Sequence, residues 1–327
     1  MLPLVSIIIP CYNSQAFLKD AIASAVNQSY SHVEIIVIDD GSTDGSLEII
    51  KSFGEQVRWE TGKNQGAPLA RNRGIELARG EYIKFLDADD VLLPDCLKTQ
   101  LTQIQQLQPQ QQAIVYGDAV WVNQYGQPIP SYPLTGRQPE QDPIAHILSH
   151  SPLTSCPLHK REYLLAIGGF DPSLPRGQEY DLHLRLVLAG VEFVYYPGSV
   201  YQYREYVDSR RISQGGYSNK GAMFHFQTLQ KHRQLIETRT GKPLQPEVRK
   251  ILAQRFWAFG RGILREGHIT EAQEYFAAAR DLDPKNCIIG NKPYPLLVKF
   301  LGPFQAEFFL DQLRKLKATM VISSNIV

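Results

Sequence analysis

The chain has 327 residues, 43% of them hydrophobic, enough for a substantial core in one large domain with an appendage or in two smaller ones. Lys and Arg number 34 against 33 Asp and Glu, so no overall field draws the chain to nucleic acid or an anionic membrane, and any polyanion contact is local. Cys11, Cys96, Cys156 and Cys287 form neither a CxxC pair nor a Cys/His cluster, which argues against a zinc site and fits free thiols in a reducing compartment.

The opening residues lack a basic region followed by a long apolar stretch. No segment reaches the roughly eighteen uninterrupted apolar residues of a membrane span, so a cytoplasmic protein is expected. Leu4 to Pro10 (LVSIIIP) reads as a buried strand. A helix capped by Asn13 or Ser14 follows it to about Asn27, with Phe17, Leu18, Ala21, Ile22 and Ala25 facing inward. Val33 to Asp40 (VEIIVIDD) is a second buried strand and ends on two acids. Gly41-Ser42-Thr43-Asp44-Gly45 turns into a short helix, and Val57 to Glu60 reads as a third strand. Gly66-Ala67-Pro68 opens a helix that ends near Ala78, with Gly80 as its C-cap. Glu81 to Leu86 (EYIKFL) is a further strand, and Asp87-Ala88-Asp89-Asp90 follows at once. This alternation predicts an α/β fold, Rossmann-like, with a mostly parallel sheet covered by helices on both faces.

A Gln-rich helix is expected from Leu92 to Leu107, a strand from Ala113 to Val122, and irregular chain from Asn123 to Pro143. A helix from Tyr163 to Ala166, a turn at Gly168 to Asp171, a helix from Tyr180 to Ala189 and a strand from Val191 to Tyr195 complete the first domain, residues 1–213. Residues 214–327 read as a helical extension, in which Trp257 to Pro284 has the spacing of one tetratricopeptide-like hairpin. A single repeat cannot bury its own apolar face, so packing as an extension is the simpler reading than a partner-recruiting array. Tyr294 to Leu316 is too interrupted to span a bilayer; it either lies on a membrane surface as a peripheral anchor or docks onto the protein.

In a doubly wound sheet, ligands sit beyond the carboxyl ends of the strands. Three special turns lie there: Pro10 to Asn13, Asp39 to Ser42, and Asp87 to Asp90. Clustered acids repel unless solvent or a cation compensates them. A hard divalent ion bridging to a diphosphate does so, because Mn2+ and Mg2+ prefer oxygen and take only one or two ligands from protein. Asp87 and Asp89 are therefore the expected metal pair, Asp89 as ligand and Asp87 facing the nucleotide ribose or the metal's water shell. Alone, Asp-X-Asp is a weak signal that also occurs in turns and caps; its place behind a buried strand gives it weight.

Taken together, VSIIIPCYN (Val5 to Asn13), VIDDGSTD (Val37 to Asp44), GAPLARNRG (Gly66 to Gly74) and FLDADD (Phe85 to Asp90) resemble the family 2 glycosyltransferases. The likeness covers about two hundred residues and does not extend clearly over the C-terminal third. It implies a GT-A fold and inverting transfer from a nucleoside diphosphate sugar, UDP by default, with dTDP and GDP sugars as the alternatives. The implied acceptor is a hydroxyl of a saccharide or lipid-linked saccharide, as in surface polysaccharide assembly. Carried over by position, Pro10 and Tyr12 flank the base with Tyr12 stacking on it, Asp40 beside Asp39 accepts a hydrogen bond from the base, and Arg71 lies near base and phosphates. Seen singly, Tyr12 is equally a packing residue at a helix entry, and Asp39 or Asp40 a turn cap.

Inversion needs a base on the face of the sugar opposite the leaving diphosphate. The family places an acidic pair before the helix that here follows Gly177-Gln178-Glu179-Tyr180-Asp181, so Glu179 is the expected base and Gln178 replaces the usual preceding acid. Asp181 is the second candidate, or else a charge complementing the helix dipole. Tyr203-Arg204 and Asp208 to Ser213 resemble the family's flexible basic loop, with Tyr206 where relatives carry His. Arg204, Arg210 and Arg211 are then a second phosphate clamp, or else a solvated basic turn.

Three other functions compete with this one. A nucleotidyltransferase needs a Gly-rich, basic N-terminal loop, which Pro10 to Asn13 is not. A dehydrogenase needs GxGxxG after the first strand. An inactive nucleotide-sugar-binding or partner-recruiting protein of the same fold is opposed by Asp87, Asp89 and Glu179 and favoured by Gln178.

Overall fold

The computed structural model describes residues 2–108, 110–131, 133–207 and 217–324, except for the side chains of 219–220 and 315–324. The chain divides into two compact units, Met1–Asp208 and Ser209–Val327.

In the first unit β1 (Val5–Cys11), β2 (Val33–Asp39), β3 (Arg58–Thr61) and β4 (Tyr82–Phe85) are parallel, in the order β3-β2-β1-β4. Val5, Ile7, Ile8 and Ile9 of β1 and Ile36 and Val37 of β2 have no exposed surface. Such strands are apolar on both faces because helices cover both. The connections are α1 (Leu18–Val26), α2 (Ser46–Ser52) and α3 (Ala67–Leu77). The chain steps outward from β1 to β3 and then returns past β1 to β4, so right-handed crossovers put α3 on the face opposite α1 and α2. α3 lies directly on β1: a Cβ on Gly74 would come within 2.3 Å of Ile8 Cγ2.

α1 buries Leu18, Ala21, Ile22 and Ala25, as its periodicity requires. Neither Asn13 nor Ser14 caps it with a side chain. Asn13, at φ 49°, accepts from Thr43 N at 2.7 Å, and Ser14 lends only its carbonyl to Phe17 and Leu18 N. Gly80 does not cap α3 either; it lies against β1, where a Cβ would stand 2.6 Å from Ser6 N.

The unit continues through β5 (Val91–Leu92), α4 (Cys96–Gln105), β6 (Ala113–Asn123), α5 (Pro143–His150), β7 (Pro157–Lys160), α6 (Arg161–Ala166), α7 (Gln178–Leu188) and β8 (Glu192–Glu205). Among the described residues the sheet has eight strands in the order β3-β2-β1-β4-β7-β6-β8-β5, with β7 antiparallel to β4 and β6 and β5 antiparallel to β8. α5 and β7 are absent from the sequence reading, and β8 runs well past Tyr195. Pro197 and Gly198 look like the end of a strand, but register shifts between Tyr116 and Ala119 of β6 absorb the extra residues and pairing resumes to Glu205.

Polar side chains are sealed inside this unit. Lys84 of β4 has no exposed surface and donates to Gln100 Oε1 at 2.8 Å and to the Cys156 carbonyl at 3.1 Å, and burial lowers its pKa. His159 and His183, both fully buried, stack with ring centres 5.8 Å apart. Burial pushes His183 down to about 3 and His159 well below the ordinary imidazole range. An unfolded imidazole titrates near 6.5, so below that pH the unfolded chain binds protons that the folded chain refuses. Stability is full above pH 6.5 and falls as pH drops from there towards 3, by about 2 kcal/mol at pH 5 for His183 alone. Urea midpoints at pH 7.5 and pH 5 measure this loss, and His183→Gln should make it smaller. An unchanged slope in that variant would sink the assignment.

The second unit is helical: α8 (Asn219–Thr240), α9 (Pro246–Arg265), α10 (Ile269–Leu282) and α11 (Tyr294–Ser324). Ser218 caps α8, accepting from Gly221 N at 3.2 Å. α9 and α10 form a hairpin closed by Trp257 against Phe276, ring centres 4.7 Å apart, and by Gly260, where a Cβ would meet Tyr275 Cβ at 2.9 Å. α11 is broken at Gly302 and Pro303. No helix among the described residues is long and apolar enough to cross a membrane.

Candidate active site

The strand order reverses between β1 and β4, and in open α/β sheets such a reversal opens a crevice outside the carboxyl ends of the two strands. Pro10 to Asn13 leave β1 on one side of it, and Asp87 to Asp90 leave β4 on the other.

The loops after β1 and β2 are laced together. Asn13 N donates to Ser42 Oγ at 2.9 Å, Ser14 N to Ser46 Oγ at 2.9 Å, and Gln15 N to Asp44 Oδ2 at 3.1 Å. Asp39, 2% exposed, accepts from Ser42 N at 3.2 Å and Thr61 Oγ1 at 2.5 Å. Asp40, 8% exposed, accepts from Gln65 N and Gly66 N, both at 2.8 Å. Both acids thus cap turns and fix the loop that opens α3. A carboxylate has about four acceptor positions, so Asp40 keeps capacity for a further donor. Gly41, at φ 78°, passes so close to β3's exit that a Cβ would meet Gly62 O at 2.8 Å. Pro10 is half-buried, and Tyr12 is half exposed, so its ring is no core residue and is open to stacking. Cys11 between them is buried, which pushes its thiol up to about 11 and keeps it protonated at neutral pH.

Across the crevice, Arg71 of α3 is almost fully buried. It donates from Nη2 to Asp87 Oδ1 at 2.6 Å and from Nη1 to Gln178 Oε1 at 2.6 Å, with its guanidinium 5.3 Å from the Phe170 ring centre. Arg71 is thus paired with Asp87, whose side chain is 32% exposed. Asp89, half-buried, accepts from Tyr206 Oη at 3.1 Å. Asp90 is buried and accepts from Arg204 N at 2.9 Å. No group of three or more His, Cys, Asp or Glu able to hold a metal occurs among the described residues. Two partly accessible acids, Asp87 and Asp89, fit an ion that draws the rest of its shell from water and substrate phosphates.

α7 starts after Gly177, at φ 63°, and its first residues are Gln178 and Glu179. Glu179 is half-buried and adjoins the residue that Arg71 grips. Asp181 is different: it has no exposed surface and pairs with Arg185 Nε at 2.7 Å. A carboxylate so enclosed meets no acceptor hydroxyl, which corrects its candidacy as base. Arg204 also departs from expectation. Its guanidinium lies 4.4 Å from the Phe17 ring centre and 3.4 Å from Asp20 Oδ2, facing a cleft of about 640 Å³ over α1 and β5, while only its backbone N–H reaches the acid loop. It is not a phosphate clamp in this arrangement. Arg210 and Arg211 lie outside the described residues. Sequence reasoning missed Phe170, Ser155, which accepts from Asp87 N at 3.3 Å, and the hold of Tyr206 on Asp89. Only Tyr206 gave a signal, by standing where relatives carry His.

Residues 6–164 match the family model described as glycosyl transferase family 2. A Haemophilus influenzae protein described as an uncharacterized glycosyltransferase is 48% identical over 104 residues, 31% of this chain and 42% of its own, so the chain spans less than half of that relative. Staphylococcus aureus TarS 1–349, solved with UDP-GlcNAc, superposes with a TM-score of 0.67 at 17% identity, covering 96% of this chain and 92% of that one. The mannosyltransferase PcManGT from Pyrobaculum calidifontis, solved with GDP-Man and Mn2+, gives 0.55 at 18% identity, over 94% and 87%. The shared fold is the GT-A arrangement. The matched region contains nearly all of the four sequence blocks and both acid-bearing strand ends, and by it the chain's first unit belongs to glycosyl transferase family 2.

Proposed function

We propose that the chain is a metal-dependent, inverting glycosyltransferase that moves a sugar from a UDP-sugar to a hydroxyl of a saccharide or lipid-linked saccharide acceptor in surface polysaccharide synthesis. The observation that carries this reading is the pair Asp87 and Asp89 at the end of β4, held from two sides by Arg71 and Tyr206 beside the crevice. That TarS was solved with UDP-GlcNAc and PcManGT with GDP-Man and Mn2+ supports a nucleotide-sugar donor and a divalent ion. Four buried free cysteines support a reducing, cytoplasmic setting.

Tyr12 and Pro10 flank the nucleotide base, and Asp40 accepts a hydrogen bond from it with its remaining acceptor capacity. Asp87 and Asp89 are the residues that would hold Mn2+ or Mg2+, and the ion would supply positive charge to stabilise the departing diphosphate. Glu179 takes the proton from the acceptor hydroxyl, whose oxygen forms the new bond to the anomeric carbon while the old carbon–oxygen bond breaks and its electron pair departs with the diphosphate. Arg71 keeps Asp87 in position through its ion pair.

Gln178 favours one other reading, a donor-binding protein without turnover, because its neutral amide takes the Arg71 hydrogen bond where relatives have an acid. Release of nucleoside diphosphate from UDP-, dTDP- and GDP-sugars with either metal separates the two. One donor should turn over only with metal, and Asp89→Ala should lose at least about a hundredfold. Metal-dependent binding without turnover on any acceptor would support the second reading; no donor binding would overturn both.

A further inference from the structure

The outward face of α11 is unusually apolar for a surface helix. Leu296 is 59% exposed, Phe300 79%, Phe308 67% and Phe309 47%, whereas Tyr294, Val298, Ala306 and Glu307 on the opposite side are buried. The orientation is pinned by charge. Glu307 is held by Arg261 and by Arg265 Nε at 3.1 Å, both of α9, and by Arg314 Nη2 of its own helix at 3.4 Å, so turning Phe308 and Phe309 inward would pull the carboxylate from the two α9 guanidinium groups. Exposed apolar side chains of this size on both segments of α11, before and after the break at Gly302, mark a contact surface.

We propose that this face lies in the plane of an anionic membrane surface, phenylalanines down. Between Lys292 and Lys317 the sequence carries five basic residues, Lys292, Lys299, Arg314, Lys315 and Lys317, against two acids, Glu307 and Asp311. Both acids are engaged with arginines of this same unit, Asp311 with Arg314 at 3.9 Å. Exposed apolar side chains in a segment with this excess of basic residues are the chemistry of a helix lying at the headgroup boundary of acidic lipid. A second copy of the chain fits less well, because a two-fold contact sets each patch against itself and brings like charges together. Spanning is not open to it, since no described helix is long and apolar enough to cross.

The full chain should co-sediment with vesicles of phosphatidylcholine containing about one-third phosphatidylglycerol, far less with phosphatidylcholine alone, and less as salt rises. Phe308→Ser with Phe309→Ser should weaken this by roughly tenfold or more at an unchanged thermal midpoint. Lys299→Glu, which leaves packing untouched, should weaken binding to the acidic vesicles only. Absence of binding to acidic vesicles, or equal binding by the serine variant, overturns the proposal. So does a wild-type dimer in solution that the serine variant converts to monomer, which would give the face to a second copy. No sugar donor enters this assay, so its outcome is independent of the transferase reading.

Discussion

Glu179→Gln should lower kcat by roughly two to four orders of magnitude, the usual contribution of a positioned general base, while donor KM and metal-dependent donor binding stay close to wild type. The substitution keeps size and shape and removes only the ability to accept the acceptor's proton. Its neighbour Gln178 is gripped by Arg71 at 2.6 Å, so the start of α7 is fixed relative to the Asp87 end of β4 whatever residue 179 is. Single-turnover rates with saturating donor, compared with donor affinity, are the measurement. A fall of less than about tenfold would move the base elsewhere.

Asp181→Asn should do the reverse, lowering stability by about 3 kcal/mol, several degrees in Tm, with kcat per folded molecule retained. Its carboxylate is fully buried against Arg185, which also donates from Nη1 to the Ile167 carbonyl at 2.9 Å. Removing the acid leaves a mostly buried guanidinium without its counter-charge, a larger cost than loss of an exposed pair. Thermal unfolding beside the kinetic assay separates the two acids. Normal stability with lost rate would hand Asp181 the role of base.

The parallel half of the sheet was legible because its strands are covered on both faces and so read as unbroken β-branched runs, as in Ile7-Ile8-Ile9 and Ile35-Ile36-Val37-Ile38. The antiparallel half was not. β7 is four residues with a buried His159, and its pairing depends on β4 and β6, far off in sequence. α5 did carry a local signal, Asp142 before Pro143, with the carboxylate accepting from Ile144 N at 2.7 Å and Ala145 N at 3.0 Å; it was lost inside a Pro-rich stretch. The same division holds at the crevice. Acids at strand ends announce themselves locally, but the link from Arg71 to Gln178 joins residues 107 apart, and the enclosure of Asp181 depends on what packs over α7. A residue type and a spacing could nominate Asp181; only its surroundings could remove it.

The route by which the chain leaves its first unit adds a mechanical aspect. β8 ends at Glu205 and the unit ends at Asp208, and just before that boundary Arg204 N holds Asp90 while Tyr206 Oη holds Asp89. The departing polypeptide is therefore moored to the acid loop. Both contacts lie inside the first unit, so the end of β8 and the residue after it brace the acid loop before the chain reaches the boundary.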